Sequence, residues 1–317
     1  MNKLTKVVPV FLTINNAYAP YAAATIHSLT RYCDKKRYYK VIILHDGLNL
    51  VNRVRLRSLV TDNVALQFKK ITNSLYLRAV IKYCAREKGA GDFFSAAVYY
   101  YRFFIPRLFP MYEKAVYIDS DTILRGDVGE LFDVELEETE VIAAMPDPKV
   151  VAIPEFREYV EKAVGVPAGE YVNDGVMLMS LKKMRKLHYL STMVGLIEKY
   201  NADLVAPDQD YANVILRGKI HKIGAEWNAE PREDLPKDTK LVHFNLFNKP
   251  WHYKNVPCEK LFWNAARGTG FYGDLKRQQE GFDEARQKAE QEKVAALIKK
   301  AGRLAKEGKR LMELKKD

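Results

Sequence analysis

The apolar run VVPVFLT at residues 7–13 is followed by two more, KVIIL at 40–44 and VALQF at 64–68. Between them, the apolar residues of 21–32 and 49–60 recur every three or four positions, as on one face of a helix. Alternating strands and helices of this kind predict a parallel, doubly wound sheet. Because ligands of such sheets bind beyond the carboxyl ends of the strands, the residues that follow each apolar run are candidate site residues.

Five further apolar runs after residue 100 extend the predicted sheet. They are residues 115–118, 141–145, 176–179, 219–223 and 241–244. Short apolar runs also occur in buried helices, and we interpret these as strands. The sequence therefore predicts an α/β protein with a Rossmann-like, mostly parallel central sheet flanked by helices.

The composition is that of a globular protein. The 317 residues include 51 Lys and Arg against 40 Asp and Glu, a net charge of +11, with 29% charged and 11% aromatic residues. These values exclude a disordered or collagen-like chain. The three cysteines, Cys33, Cys84 and Cys258, are too far apart for a disulfide framework or a C-x-x-C metal motif. We therefore expect a reducing compartment, and the lack of a signal peptide or an apolar span of about 18 residues leads us to expect the cytoplasm.

Asp119-Ser120-Asp121 is the strongest local signal for chemistry. It directly follows residues 115–118, and in an extended chain the two carboxylates project from the same face. Two carboxylates that converge at a sheet edge suit Mg²⁺ or Mn²⁺. The alternative is that one Asp caps a helix and the other is solvated.

His243 ends the short run Leu241-Val242-His243 and is followed six residues later by Lys249. A neutral imidazole is a reasonable third ligand for Mn²⁺, and a lysine nearby would neutralise phosphate as a point charge. A lone histidine is also commonly a structural residue.

Two more polar motifs have both functional and structural interpretations. Asp208-Gln209-Asp210 follows Pro207 at the start of a predicted helix, where Asp is favoured electrostatically in any case. Asn173-Asp174-Gly175 precedes a predicted strand and could be only a turn.

Six motifs, in the same order along nearly all of residues 7–251, resemble glycosyltransferase family 8. This family contains retaining nucleotide-sugar enzymes, among them bacterial lipopolysaccharide galactosyl- and glucosyltransferases and glycogenin. The motifs are Asn15-Asn16-Ala17-Tyr18, Tyr101-Arg102 with Ile105-Pro106, Val116–Asp121, Tyr171–Leu178, Pro207–Asn213, and His243 with Lys249-Pro250-Trp251. The resemblance implies a GT-A type fold and a donor of the UDP-hexose class.

The resemblance also implies roles for individual residues. Asp119, Asp121 and His243 would hold Mn²⁺ (or Mg²⁺) against the diphosphate of the donor, and Lys249 would contact the phosphates. Leu246 stands where the family commonly has glycine. The other implied donor and sugar contacts are Asn15 and Asn16 near the base, Ser120 within the metal motif, Arg102, Asn173, Asp208 and Gln209 at the donor sugar, and Asp147 near the sugars.

The implied reaction moves a glucose or galactose unit from the UDP-sugar to a saccharide or lipid-linked glycan acceptor, in lipopolysaccharide or other cell-surface glycan synthesis. A double displacement needs a carboxylate nucleophile, and the residue expected nearest the anomeric carbon, Gln209, is an amide. We therefore expect front-face transfer, in which the departing phosphate helps to deprotonate the acceptor. A carboxylate nucleophile, Asp208 or Asp174, is the competing mechanism.

Two other functions fit parts of the sequence. A strand followed by D-x-D is also how haloacid-dehalogenase-type phosphatases begin, with Asp119 as the nucleophile beside Mg²⁺. Such enzymes usually carry this strand near the N-terminus, whereas here three strands precede it. The charge of +11 also suits a basic membrane- or nucleic-acid-binding module. We expect no nucleic-acid partner, because the sequence contains no zinc finger, RRM or comparable motif and nearly half of the excess charge lies in residues 275–317.

Residues 275–317 differ in composition from the rest of the chain. They contain 13 Lys and Arg against 8 Asp and Glu, and their apolar residues recur at helical spacing. We predict a catalytic domain at 1–274 and a basic amphipathic helical tail at 275–317. The tail would either lie on an anionic membrane, at the inner face of the plasma membrane, or pack on its own domain or a second subunit.

Overall fold

The structure, a computed structural model, describes residues 7–72, 74–86, 97–308 and 310–314. Residues 1–6, 73 and 87–96 of the predicted catalytic domain, and residues 309 and 315–317 of the predicted tail, lie outside this description. The strands in the described residues are β1 Val7–Ile14, β2 Tyr38–His45, β3 Val64–Lys70, β4 Ala115–Ile118, β5 Thr122–Leu124, β6 Ile142–Pro146, β7 Val172–Met179, β8 Ile220–Lys222 and β9 Leu241–His243.

Seven strands form one sheet in the order β3-β2-β1-β4-β7-β6-β8. The pairs β3-β2, β2-β1, β1-β4 and β6-β8 are parallel, and β7 is antiparallel to both of its neighbours. The mostly parallel sheet predicted from the sequence is confirmed. The antiparallel direction of β7 was not predicted, because apolar periodicity contains no information about strand direction.

The reversed direction of β7 places its first residues at the candidate site. Ile118 at the end of β4 pairs with Val176 of β7, and the Asp119 amide donates to the Gly175 carbonyl at 2.7 Å. Asn173 and Asp174 therefore lie beside the carboxyl end of β4, inside a strand. The interpretation of Asn173-Asp174-Gly175 as only a turn is wrong.

A second, two-stranded sheet joins β5 to β9 in antiparallel register. Thr122 pairs with His243 in this register, so the residues that follow β4 are brought next to His243. Strand β5 is not among the predicted strands, since its three residues are too short a pattern to distinguish.

Helices cover both faces of the main sheet. In the described residues they are α1 Ala19–Tyr32, α2 Leu50–Arg57, α3 Leu75–Arg86, α4 Ile105–Leu108, α5 Val128–Asp133, α6 Pro148–Ala152, α7 Pro154–Tyr159, α8 Leu181–Lys186, α9 Tyr189–Tyr200, α10 Pro207–Leu216, α11 Glu259–Arg267, α12 Tyr272–Glu280, α13 Glu284–Glu307 and α14 Leu311–Leu314. Single 3₁₀ segments occur at Asn16–Tyr18, Ala97–Phe104 and Ala225–Trp227, and a π-helical turn at Val160–Val164. None of the described helices combines the length and apolar character needed to cross a bilayer.

Two apolar clusters form the core, one on each face of the main sheet. Successive side chains of a strand point to opposite faces, so Phe11 of β1 belongs to one cluster while Val10 and Leu12 belong to the other. Burial of each such side chain stabilises the fold by roughly 1.5–3 kcal/mol. The rigid sheet between the clusters fixes the positions of the residues at its edge.

The C-terminal segment packs on its own domain. The predicted apolar face is buried or half-buried, with Leu297, Ala301 and Leu304 in the same core cluster as Phe156 of α7. Instead of one helix the segment forms three, which are interrupted at Gly281 and Gly308. Of the two alternatives for residues 275–317, the structure shows packing on the protein, and this apolar face is not exposed to a lipid surface.

Candidate active site

Asp119, Asp121 and His243 meet at the carboxyl ends of β4 and β9. One oxygen of each carboxylate and one ring nitrogen all lie within 4.8 Å of one another. His243 Nε2 is 3.1 Å from Asp121 Oδ1 and 3.8 Å from Asp119 Oδ2. The three predicted metal ligands, the farthest two 124 residues apart in the sequence, therefore form one cluster.

The other ring nitrogen of His243 fixes which tautomer can bind a metal. Asn228 donates through Nδ2 to Asn173 Oδ1 at 2.9 Å, which leaves its own Oδ1 as an acceptor 2.9 Å from His243 Nδ1. Nδ1 therefore carries the hydrogen, and the Nε2 lone pair faces the carboxylates. A lone pair and a carboxylate oxygen 3.1 Å apart repel unless a cation lies between them. Two carboxylates and such an imidazole fit Mn²⁺ or Mg²⁺.

The two oxygens of Asp119 have different surroundings. Oδ1 accepts from the Tyr117 hydroxyl at 2.7 Å and from Arg102 at 3.2 Å. Tyr117 lies on β4 and is itself bonded to Thr13 of β1 at 2.9 Å. Oδ2 is left to face His243. These hydrogen bonds thus fix Oδ1 of Asp119, and Oδ2 remains available as a metal ligand.

Gly175 leaves room for this cluster. A Cβ atom at this position would lie 2.5 Å from His243 Cε1 and 2.6 Å from Asp119 Oδ2. No real Cβ approaches other heavy atoms so closely. Glycine is therefore required here by the close approach of β7 to the metal ligands.

Lys249 lies beside the same cluster. Its Nζ donates to Asp121 Oδ2 at 2.5 Å and to the Phe244 carbonyl. Burial disfavours the charged form of Asp121, but the ammonium group of Lys249, together with His243 when the imidazole is protonated and no metal is bound, holds the pKa of this carboxyl well below its usual value. Asp121 is therefore ionised, as a metal ligand must be.

Arg102 is the centre of a second acidic cluster. The guanidinium is 2% exposed and contacts Asp174 Oδ1 at 2.5 Å, the Asp174 carbonyl at 2.7 Å and Asp208 Oδ2 at 3.4 Å. Burial opposes its charge, yet the three carboxylates keep the pKa of Arg102 well above its usual value. Burial likewise raises the pKa of Asp208, in spite of Arg102. Arg102, which the family resemblance assigns to the donor sugar, is here also a permanent counter-ion.

Asp147, Asn173 and Gln209 form a hydrogen-bonded group next to this cluster. Gln209 Nε2 donates to Asp147 Oδ2 at 3.0 Å, and Asn173 Nδ2 donates to the same oxygen at 3.2 Å. Gln209 lies in the first turn of α10, which begins at Pro207, so the predicted helix N-terminus is confirmed as well. Asp147 also caps α6 by accepting from the Lys149 amide. The amide of Gln209 is held in one orientation.

A cavity of about 270 Å³ opens beside the metal cluster. Asp119, Ser120, Asp121 and Lys249 line it at one end. Its remaining wall combines four aromatic side chains with aliphatic and polar ones, and is formed by Thr13, Ile14, Asn15, Tyr18, Tyr21, Val98, Tyr99, Asn245, Leu246, Trp251, His252 and Glu290. A flat aromatic group and a negatively charged group would both find matching surfaces here.

A smaller cavity of about 60 Å³ lies on the other side of Asn245 and Leu246, which line both. Asp147 and Gln209 contribute its polar wall, and its other side chains include Phe156 and Leu297. Leu246 has a backbone φ of 65°, in the left-handed region that favours glycine. The backbone here thus keeps the conformation that glycine would adopt.

The structure places the predicted residues in three groups. Asn15, Ser120, Lys249 and the acidic metal ligands line the larger cavity, and Gln209 and Asp147 line the smaller one. Arg102, Asn173, Asp174 and Asp208 lie behind them and line neither.

Asn16 does not line either cavity. Its side-chain oxygen accepts from the Asn49 amide and from Asn52, at the start of α2. The predicted contact between Asn16 and the base is therefore not supported by its position.

Four features of the site are not predicted from the sequence: Asn228, the steric requirement for Gly175, the role of Tyr117, and the aromatic side chains of the cavity wall. Asn228 belongs to no motif and precedes a short loop, so no sequence signal marked it. Tyr18 and Trp251 belong to two of the family motifs, and their aromatic character is the sequence signal for a stacking surface.

Comparison with known proteins agrees with this geometry. The sequence model of glycosyl transferase family 8 matches residues 9–255. A Haemophilus influenzae protein named as a glycosyltransferase is 27% identical over 256 residues, which span 77% of this chain and 73% of that protein. The lipopolysaccharide 1,2-glucosyltransferase of Escherichia coli is 23% identical over 211 residues, 58% of this chain and 57% of that enzyme.

Among solved structures, the galactosyltransferase LgtC in complex with donor and acceptor sugar analogues matches with a TM-score of 0.69 and 19% identity, over 83% of this chain and 96% of the other. This likeness shows the GT-A fold. The family match extends over far more than half of the sequence. The chain is a glycosyltransferase that belongs to glycosyl transferase family 8.

Proposed function

We propose that the protein transfers glucose or galactose from a UDP-hexose to a saccharide acceptor, with Mn²⁺ (or Mg²⁺) as cofactor and with retention at the anomeric carbon. The observation that carries the proposal is the convergence of Asp119, Asp121, His243 and Lys249 at one end of an aromatic-walled cavity. This cavity offers a cationic end for a diphosphate and flat aromatic faces for a base.

Different residues of the site would bind different parts of the donor. A divalent cation on Asp119, Asp121 and His243 would supply charge neutralisation for the leaving diphosphate. Lys249, whose pKa is raised because Asp121 outweighs the effect of burial, remains charged and donates to the phosphate oxygens. Asn15, which lines the same cavity, would pair with a base edge.

The surroundings of the carboxylates support front-face transfer. Asp174 and Asp208, the two candidate nucleophiles, both contact Arg102 and line neither cavity. Gln209, which does line the smaller cavity, is an amide held by Asp147. The departing phosphate would then help to deprotonate the acceptor hydroxyl.

The acceptor and the location are proposed from the relatives. One relative is named a lipopolysaccharide glucosyltransferase, and one solved neighbour is a galactosyltransferase with donor and acceptor sugar analogues. We place this enzyme in lipopolysaccharide or other cell-surface glycan synthesis in the cytoplasm. The basic outer face of 284–307 would attract anionic lipid by charge alone, near a lipid-linked acceptor.

The test is a panel of UDP-sugars assayed for UDP release with Mn²⁺, with Mg²⁺ and with EDTA. We expect turnover of UDP-glucose or UDP-galactose that needs the metal, and an anomeric configuration that is unchanged in the product by NMR. Asp121→Asn should lower the rate at least 1,000-fold, whereas Asp238→Asn, at an exposed loop position, should not. Metal-independent turnover, or hydrolysis of p-nitrophenyl phosphate that Asp119→Asn abolishes, would contradict the proposal.

A further inference from the structure

Residues 278–290 lie beyond the segment that matches the family, which ends at residue 255. They nevertheless contact the loop that carries Lys249. We call residues 244–255 the Lys249 loop and residues 278–290 the C-terminal clamp.

Gln279 of the clamp makes the most direct contacts with the Lys249 loop. Its Nε2 donates to the Pro250 carbonyl at 2.8 Å and to the Tyr253 carbonyl at 2.9 Å. Gln279 is 6% exposed, so these bonds are shielded from water. One amide group therefore joins both sides of the turn that follows Lys249.

His252 of the loop is held by two more clamp residues. The Phe282 ring stacks on the imidazole at 4.1 Å with an interplanar angle of 4°, and Glu290 Oε2 is 2.8 Å from His252 Nδ1. His252 and Glu290 both line the larger cavity. The clamp thus reaches the wall of the site itself.

A fourth contact passes through Tyr21. Gln278 is hydrogen-bonded to the Tyr21 hydroxyl at 2.9 Å, and the Tyr21 ring stacks on Trp251 at 4.2 Å. Trp251 follows Lys249 by two residues and is 2% exposed. The C-terminal clamp therefore contacts the Lys249 loop directly through Gln279 and indirectly through Tyr21.

The Lys249 loop needs such support because its backbone is strained. Leu246, Asn248 and Asn255 all have positive φ, of 65°, 50° and 58°. Asn tolerates this region and Leu does not, and a strained residue costs roughly 1–3 kcal/mol. Such a conformation persists only when surrounding contacts determine it.

We propose that the C-terminal clamp positions Lys249 for the leaving diphosphate, with Gln279 and Glu290 as its positioning residues. The proposal rests on the proposed function, since it assigns Lys249 to the phosphates. It also means that the boundary predicted at residue 274 falls inside the machinery of the site.

The test compares full-length Gln279→Ala with Gln291→Ala, a matched variant at an exposed position of α13. Hydrogen exchange of the peptide that spans residues 249–255 should be at least 10-fold faster in Gln279→Ala and unchanged in Gln291→Ala. The affinity for UDP in Mn²⁺, measured by calorimetry, should fall about 10-fold in Gln279→Ala only. Unchanged loop exchange, or faster exchange with unchanged UDP affinity, would overturn the proposal.

Glu290 provides a second pair of variants in case Gln279→Ala does not fold. Glu290→Ala should speed loop exchange and raise KM for the UDP-hexose more than it lowers kcat. Glu290→Gln keeps the size and polarity of the side chain beside His252 and should restore both values to within about 2-fold of wild type. Equal effects of Ala and Gln would reject the positioning role. A wild-type protein that binds no UDP would refute the proposed function, while loop exchange would still decide whether the clamp holds the loop.

Discussion

The two acidic clusters of the site are neutralised in different ways. Around Arg102, the carboxylates of Asp174 and Asp208 have a cation that is part of the chain. Around His243, Asp119 and Asp121 converge on a position that an exchangeable cation would fill, with Lys249 at one side. Asp119 belongs to both clusters through its two oxygens. The comparison teaches that a cation built into the chain organises the Arg102 cluster, whereas the position proposed for an exchangeable cation would leave room for substrate.

Asp210 is a buried acid of a different kind, because its partners are uncharged hydrogen-bond donors and not a cation. It accepts from the hydroxyls of Tyr159 and Tyr171 at 2.6 Å each and from the Ala206 amide at 3.1 Å. No Lys or Arg within the described ranges forms an ion pair with it. Burial outweighs these hydrogen bonds and raises the pKa of Asp210 to about 7.

Removal of the Arg102 guanidinium should have the largest effect, and this effect is on the stability of the fold. Arg102→Ala leaves buried carboxylates without a partner, and we expect the free energy of unfolding to fall by about 3–5 kcal/mol. Urea unfolding measures this. Arg303→Ala, which breaks half-exposed pairs with Asp203 and Glu307, should change it by less than about 1 kcal/mol. Equal stability of Arg102→Ala and wild type would show that the cluster needs no resident cation.

The carboxylate without a cation should make stability depend on pH. The folded-state pKa of about 7 lies above the unfolded value of about 3.9, so the folded protein binds more protons between these values. This stabilisation is complete below about pH 4 and is lost as the pH rises to about 7, by up to about 4 kcal/mol. Asp210→Asn should remove this part of the slope in unfolding curves measured from pH 4 to 8. Parallel curves for the two proteins would refute the assignment.

A methyl group at Gly175 should disturb the exchangeable-cation cluster directly. The added Cβ would overlap His243 Cε1 and Asp119 Oδ2, and we expect the rate of UDP release from the UDP-hexose to fall about 100-fold, which is about 2.7 kcal/mol. Gly169→Ala is the matched control, since nothing lies within 4 Å of a Cβ there. Normal activity of Gly175→Ala would mean that the three ligands do not act together.

The smallest effect is expected from the hydrogen bond that orients His243. Asn228→Ala removes the acceptor from Nδ1 and should weaken Mn²⁺ binding about 10-fold, as second-sphere changes do. Calorimetry with Mn²⁺ measures the change. Asn228→Asp keeps the acceptor and should bind Mn²⁺ at least as well as wild type, so weakening by both variants would argue against the tautomer assigned here.

The sequence predicted those parts of the fold and site that depend on local patterns. Apolar runs located most strands, and D-x-D after β4 with His243 after β9 identified the metal ligands, because their positions follow from strand ends. The direction of β7 was not predictable, since alternation is the same in both directions. This reversal is what brings Asn173 and Gly175 to the site.

Contacts between segments that are far apart in the sequence could not be predicted either. The apolar face of 294–312 predicted burial against some surface, but not which one. Asn228 and Gln279 each act through two side-chain hydrogen bonds, which leave no periodic pattern in the sequence. Such residues become visible only when packing places them beside His243 and the Lys249 loop.

The central claim is that Asp119, Asp121 and His243 hold a divalent cation that binds the diphosphate of the donor. The most direct measurement is a calorimetric titration of UDP into the wild-type protein with Mn²⁺ and again with EDTA, alongside Asp121→Asn with Mn²⁺. The account predicts tight binding only for wild type with Mn²⁺, and at least 100-fold weaker binding in the other two cases. Equal UDP affinity in Mn²⁺ and in EDTA would contradict it.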